Sequence, residues 1–105
     1  MNDSTAISLQ YFVLITEQKK KNKFVSLLSD HGAKMVQTVY GHGSMSPSAI
    51  FAAFGFEAEA GKVVITCLLK TETAKELITT LYNDYNFKKP NTGIAFGIPV
   101  EGLAF

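Results

Sequence analysis

Two stretches of this chain are apolar on nearly every residue, and this restricts the folds open to it. "LQYFVLIT" (9–16) and "KVVITCLLK" (62–70) are rich in branched and aromatic side chains, so both are predicted strands. A strand that is apolar on both faces is normally buried on both faces. Both faces of the sheet that contains these strands are therefore expected to be buried by other elements or other chains.

A helical pattern follows each of these strands. The predicted apolar face of the first helix (17–32) consists of Phe24, Leu27, Leu28 and His31. The predicted apolar face of the second helix (71–87) consists of Ala74, Leu77, Ile78, Leu81 and Tyr85. Gly32 stands where a helix C-terminus favours positive φ. Thr71 is the predicted N-cap of the second helix, and Glu72 suits its first turn.

Two further strands are predicted, at 34–41 and 93–100. Pro99 cannot donate to a ladder, so the last strand should lie at an edge or leave the sheet. The order is strand–helix–strand twice, and right-handed crossovers place both helices on one face of a single antiparallel sheet. The predicted fold is α+β, a ferredoxin-like β-α-β-(short helix)-β-α-β sandwich. Because helices cover one face only, the other face predicts a closed cyclic oligomer of identical chains.

The segment between the two halves is predicted to contain a short helix over 47–54. Ser46 and Pro47 suit its start, and Gly55 follows its end. The aromatic side chains of this segment cannot all lie on one face of so short a helix. At least one is expected to face a neighbouring subunit, a partner or a ligand. The alternative is that the helix only caps a cleft, which its apolar spacing favours.

Composition excludes several classes of partner. The formal net charge is +1, which gives no electrostatic case for nucleic acid or a membrane surface. The lysines at 19–23 are interpreted as a solvated helix surface, and Cys67 as a small buried hydrophobe. No signal peptide and no membrane-spanning run is predicted. We expect a cytoplasmic protein with one domain over 9–105, after an extended or disordered segment at 1–8.

Two segments carry a family resemblance. The first is "HGAKMVQTVYGHG" (31–43), which matches a strand followed by a Gly-x-Gly exit. The second is "NTGIAFGIPVEGLAF" (91–105), which matches a glycine turn followed by the final strand. In their order and spacing, they resemble the nitrogen-regulatory PII-like signalling family. The resemblance implies trimers whose sheets line a central barrel. It also implies adenine nucleotides, and often 2-oxoglutarate, bound between subunits, and control of a transporter or enzyme through the long T-loop.

Departures from the family pattern concern charge. Ile94 stands where the family's Gly-x-Gly-Lys turn has lysine, and the chain ends at Phe105 where the family continues with arginines. The long T-loop is replaced by the short helix. Since a triphosphate needs cations or a nest of N–H groups, we expect weak or absent ATP binding. Tight binding would require replacements such as Lys88 or Lys89.

The resemblance and the glycines place a candidate site in the cleft between two subunits. Its expected ligand-binding residues are Gly41, His42, Gly43, Thr92, Gly93 and Ile94, with Phe51 or Phe54 as a lid. Glycine lets a ligand approach the backbone, and N–H groups at strand ends are free of the ladder. Gly41→Val and Gly93→Val are expected to abolish ligand-induced stabilisation while the trimer stays assembled.

No catalytic motif stands out, so the chain is predicted not to be an enzyme. Ser29, Asp30 and His31 are adjacent, which is not how a triad is assembled, and His42 has no second His or Cys nearby for a metal. The predicted function is a PII-like sensor of a small metabolite, an adenine nucleotide or a small anion. The alternatives are a metal-binding trimer like the divalent-cation-tolerance proteins, and an assembly module without a ligand.

Overall fold

The structure is a computed structural model that describes residues 8–40, 61–89 and 92–101. The strands are β1 (Leu9–Glu17), β2 (Lys34–Tyr40), β3 (Lys62–Lys70) and β4 (Ile94–Pro99). The helices are α1 (Lys21–Asp30) and α2 (Thr71–Asp84), with a 3-10 turn at Gln18–Lys20 before α1. The short helix predicted at 47–54 lies outside the described residues.

These strands form one antiparallel sheet in the order β2-β3-β1-β4. β1 pairs along its whole length with β3, from Leu9 opposite Lys70 to Glu17 opposite Lys62. β4 pairs with the other side of β1 and is an edge strand, as Pro99 predicted. The α+β, ferredoxin-like arrangement is therefore confirmed.

Both helices pack on one face of the sheet. Successive strand residues point to opposite faces, so Phe12 and Leu14 face the helices while Val13 and Ile15 face away. The buried residues of the helix-facing core are Phe12, Leu14, Phe24, Leu28, Val63, Ile65, Cys67, Leu69, Ala74, Leu77 and Leu81. Full burial of a Leu, Val or Phe side chain stabilises a fold by roughly 1.5–3 kcal/mol, so this layer holds the helices in place.

The helix-free face carries a second, smaller apolar cluster. It consists of Val13, Ile15 and Val64, with Ile94 and Phe96 packed against it. The first three are buried within a single chain, so their burial does not require a second copy. Tyr11 and Ile98 stand opposite each other in the register on the same face, and they remain 41% and 49% exposed. On the β2 side of the same face, Val39 stands opposite Val64 and is 38% exposed, so apolar surface remains toward both edges of the sheet.

Gly32 ends α1 with φ +83°, as the sequence predicted. The Gly32 N–H donates to the Ser29 carbonyl at 3.0 Å. The Ala33 N–H donates to the Leu28 carbonyl, also at 3.0 Å, which completes a Schellman motif. Ala33 then packs against the core cluster that contains Leu28.

Both helices are shorter than predicted. Glu17 completes β1, so the first helix does not begin there, and a 3-10 turn separates it from α1. The second helix ends at Asp84 rather than at 87, because Asn86 adopts φ +62° and turns the chain out of the helix.

Two predicted details of α2 are wrong. Its N-cap is Lys70 and no side chain caps it. The Thr71 hydroxyl instead lies 2.6 Å from the Ser8 hydroxyl, because Ser8 lies directly before β1 beside the start of α2. Ile78, predicted to be buried, is 39% exposed. The fully buried stripe of α2 is narrower than the predicted face and consists of Ala74, Leu77 and Leu81.

Candidate functional site

The structure describes one of the two predicted walls of the candidate site. Thr92, Gly93 and Ile94 are described, whereas Gly41, His42, Gly43, Phe51 and Phe54 lie outside the described residues. The site is therefore built upward from the turn that leads into β4.

This turn leads into β4 at the end of the sheet where β1 ends. Ile94 is the first residue of β4 and pairs with Ile15. Its side chain packs against the apolar cluster of the helix-free face, so it brings no polar group to the turn. The β1–β4 ladder begins at this pair, and the N–H groups of Thr92 and Gly93 lie outside it. N–H groups at a strand end can donate hydrogen bonds to an anion or to a ligand oxygen.

Gly93 is in contact with the ring of Phe87. A Cβ atom at position 93 would lie 2.5 Å from Phe87 Cζ and 2.7 Å from Phe87 Cε2. These distances are shorter than any real carbon contact, so a larger residue would force the ring to move. Packing against this ring therefore favours glycine at this position. Gly93→Val would disturb Phe87 as well as a ligand, and it cannot serve as a test of binding alone.

Phe87 belongs to an aromatic group with Phe24 of α1 and Tyr85 after α2. The Phe24 and Phe87 ring centroids are 5.6 Å apart in an edge-on arrangement, and those of Phe24 and Tyr85 are 5.5 Å apart. The ammonium of Lys23 lies 5.0 Å from the centroid of Tyr85 and 5.7 Å from that of Phe24, within cation–π range. The group joins the start of α1, the end of α2 and the turn before β4.

Hydrogen bonds close the backbone around Phe87. Its N–H donates to a carbonyl of α2 at 3.1 Å, and the Lys89 N–H donates to the Asn86 carbonyl at 2.9 Å. Asn86 has φ +62°, a left-handed conformation that asparagine adopts more readily than most residues. Lys88 and Lys89 are exposed on this turn. The Phe87 ring thus links the turn that carries both lysines to Gly93.

Most of the ten lysines lie at the end of the sheet where β4 begins. We call this the basic end. It is marked by the Glu17–Lys62 pair, the start of α1 and the end of α2. Its lysines are Lys19, Lys20, Lys21, Lys23, Lys62, Lys88 and Lys89, and its described carboxylates are Glu17 and Asp84.

At the opposite end of the sheet, the described acidic residues outnumber the lysines. Its charged residues are Lys34, Lys70 and Lys75 against Asp30, Glu72, Glu76 and Glu101.

At the basic end, a hydrogen bond from Lys19 and the charge of that lysine, 3.3 Å away, lower the pKa of Glu17 and keep it ionised. Among the described residues, the charge beside the candidate turn is therefore positive, although the sequence as a whole is nearly neutral.

The described residues contain no group of three His, Cys, Asp or Glu side chains that could hold a metal ion. His31 Nδ1 lies 2.8 Å from the Leu27 carbonyl oxygen at the end of α1. Cys67 is buried in the core, and burial raises its pKa to about 11, so the thiol stays protonated at neutral pH. Its predicted role as a buried hydrophobe is confirmed. None of the helices described is long and apolar enough to cross a membrane.

Solved structures of PII-like proteins have this arrangement of strands and helices. A protein of Thermus thermophilus described as PII-like signalling matches with a TM-score of 0.63 and 15% identity, over 90% of this chain and 87% of that one. CPII from Thiomonas intermedia, bound to ADP, AMP and acetate, matches with a TM-score of 0.60 and 20% identity, over 91% of both chains. The chain has the PII-like fold.

A second structure of CPII supports the same assignment. It is a nitrogen regulatory PII-like protein bound to ADP, AMP and bicarbonate, and it matches with a TM-score of 0.58 and 21% identity over 90% of this chain and 92% of that one. No protein-family model and no curated protein matches the chain. The PII-like resemblance predicted from the sequence is thus confirmed for the fold.

Two features of this chain were not predicted from its sequence. The contact between Phe87 and Gly93 leaves no periodic or compositional signal, because it joins a loop to a turn through a ring. The basic end was not predicted because its lysines come from segments that are far apart in the sequence. The predicted topology already contained the signal, since it places the end of the first strand, the start of the first helix and the end of the second helix together.

Proposed function

We propose that this chain is a cytoplasmic, non-catalytic regulator of the PII-like type. In this proposal, a homotrimer of one domain over residues 9–105 binds a small metabolite or adenine nucleotide between subunits and controls a partner such as a transporter or enzyme. The observation that carries the proposal is the likeness to CPII over 90% of this chain, because CPII is bound to ADP, AMP and bicarbonate. The chain's own glycine turn at the start of β4 supports it.

The proposed site has two walls. Thr92, Gly93 and Ile94 form one of them and offer backbone N–H groups that lie outside the β1–β4 ladder. The other wall is formed by Gly41, His42 and Gly43, and Phe51 or Phe54 closes over the ligand. Of these, only the first wall is supported by described contacts.

The proposed ligand carries few phosphates or is a small anion. Ile94 offers an apolar side chain where a triphosphate would need a cation, and that side chain packs against the helix-free face. AMP, ADP and bicarbonate make smaller demands on positive charge than ATP. We therefore expect AMP or ADP to bind more tightly than ATP.

Thermal unfolding with added ligands tests the proposal. The set is AMP, ADP, ATP, bicarbonate, 2-oxoglutarate and divalent cations, with calorimetry on any compound that raises the unfolding temperature. Ligand at one hundred times its Kd should stabilise the protein by about 2.7 kcal/mol. Gly41→Val should abolish the effect. If none of the nucleotides or anions stabilises the protein, the proposal is wrong, and stabilisation by divalent cations alone would favour the metal-binding trimer.

A further inference from the structure

The distribution of lysines in this chain predicts a different partner from the one that its total charge predicts. We propose that the basic end docks onto the headgroups of an anionic lipid bilayer and holds the chain at the membrane surface without entering it. This inference goes beyond the proposed function, because it requires neither a bound nucleotide nor a partner protein.

Positive charge is in clear excess at the basic end. Seven of the ten lysines lie there, and the described carboxylates beside them are Glu17 and Asp84. The sequence has two further carboxylates shortly before Lys62, at Glu57 and Glu59; if both are counted, seven lysines against four carboxylates still leave an excess of three. Charges act over about 8 Å at physiological ionic strength, so this local excess and not the total of +1 determines the attraction to a surface.

Exposed lysines from two distant segments meet at this end. They are Lys19, Lys23, Lys88 and Lys89. Packing of Phe24 on α1 against Phe87, which precedes Lys88, holds the two segments together. The side chain of Lys19 is 78% exposed although it lies 3.3 Å from Glu17, and so exposed an ion pair contributes little to holding it. These ammonium groups are therefore accessible to a large charged surface.

The start of α1 carries its lysines against the local electrostatic preference. A helix N-terminus has a partial positive charge, which disfavours cations in the first turn. The first turn of α1 contains Lys21 and Lys23 and no acidic residue, and no side chain caps the helix. Departures from such local rules are expected where a surface has a function. Contact with an anionic surface would offset the unfavourable charge.

The type of cation favours lipid headgroups over a folded acidic partner or a nucleic acid. The sequence contains no arginine, which is the residue best suited to bidentate contacts with carboxylates and nucleic-acid phosphates. Lysine is depleted at protein–protein interfaces, and holding its long side chain in one geometry costs entropy. Mobile headgroups can instead arrange themselves around lysines that stay flexible. Clusters of about four to eight basic residues are typical of surfaces that bind anionic lipids.

Co-sedimentation of the full chain with lipid vesicles tests the inference. The vesicles are phosphatidylcholine alone or phosphatidylcholine mixed with phosphatidylglycerol, and no nucleotide is present. We expect binding only to the mixed vesicles. Raising the salt from about 0.1 M to about 1 M shortens the screening length from about 10 Å to about 3 Å, so binding should be lost.

Two variants and a matched control locate the contact. Lys19→Gln/Lys23→Gln and Lys88→Gln/Lys89→Gln each remove two charges from the basic end, and each should lower the vesicle partition coefficient about tenfold. Lys70→Gln/Lys75→Gln removes two charges at the opposite end of the sheet and should leave it unchanged. Circular dichroism checks that all three variants are folded.

The inference is wrong if the parent protein does not bind the mixed vesicles, if salt does not weaken the binding, or if the control loses as much binding as the two variants. Tighter binding of duplex DNA or polyglutamate than of the vesicles in the same salt would assign the basic end to a nucleic acid or an acidic protein, and the inference would again be wrong. Ligand-induced stabilisation is measured separately, so the failure of either proposal leaves the other standing.

Discussion

At the scale of single residues, packing and function compete for the same positions. Gly93 lies at the proposed ligand wall, but any side chain there would have to displace the Phe87 ring. Thr16 carries a polar group that packing leaves without a partner: its hydroxyl is buried and has no hydrogen bond among the described residues. Substitutions at both positions are expected to change the free energy of unfolding whether or not a ligand binds.

Gly93→Ala should lower the free energy of unfolding by about 1–3 kcal/mol, the usual cost of overpacking. The added Cβ displaces the Phe87 ring, which then loses its edge-on contact with Phe24. Urea unfolding measures the loss. In a Phe87→Leu background the same substitution should cost less, because the smaller side chain can move aside. Equal costs in both backgrounds would show that the ring is not what excludes a side chain.

Thr16→Val should raise the free energy of unfolding by about 1 kcal/mol, because a methyl group replaces a buried hydroxyl whose desolvation is uncompensated. Thr16→Ser is the matched control: it keeps the hydroxyl, removes the methyl group and should be less stable than the parent. Both are measured by urea unfolding. A Thr16→Val protein less stable than the parent would mean that the hydroxyl has a partner.

At the scale of elements, local pattern predicted the strands well and the helix ends poorly. The strand over 62–70 has the predicted bounds, because its apolar residues follow one another without interruption. The N-cap of α2 was predicted wrongly because the Thr71 hydroxyl contacts the hydroxyl of Ser8, a residue far away in the sequence, and does not cap the helix. Gly32 was assigned correctly because a Schellman motif is built within one short segment.

Gly32→Ala should cost about 1–2 kcal/mol, since an L residue at φ +83° meets the left-handed penalty. A Cβ atom there would meet nothing within 4 Å, so the cost is conformational and not steric crowding by other residues. Ser26→Ala on the exposed side of α1 is the control and should be neutral or slightly stabilising. The two are compared by thermal and urea unfolding. A neutral Gly32→Ala would mean that α1 can end in another conformation.

At the scale of the whole molecule, the proposed assembly concerns the sheet face without helices. Val13, Ile15 and Val64 are buried within one chain. Val39, opposite Val64, stays 38% exposed on β2, and Tyr11 and Ile98 form an exposed apolar pair on β1 and β4. A pair of this kind at the edge of an antiparallel sheet suits contact with another copy. The proposed homotrimer therefore depends on the β1–β4 side of the sheet.

Ile98→Lys should dissociate the proposed trimer into folded monomers, because it places a charge within the contact. Ile78→Lys is the control: it changes an apolar side chain of similar exposure on α2, on the helix-covered side, and should leave the trimer intact. Light scattering at micromolar concentration gives the mass, and circular dichroism checks folding. A parent protein that is monomeric under these conditions would rule out the trimer and weaken the proposed intersubunit site.

The sequence by itself determined what depends on neighbouring residues. Runs of apolar side chains predicted the strands, the recurrence of apolar residues predicted the helices, and the order of these elements predicted the ferredoxin-like sheet. Only the tertiary structure decided which side chains from separate segments meet. It brought Phe87 onto Gly93, exposed Ile78, and gathered most of the lysines at one end of a nearly neutral chain. The physical reason is that backbone conformation follows local pattern, whereas packing contacts and electrostatic fields depend on distances in space that sequence spacing does not record.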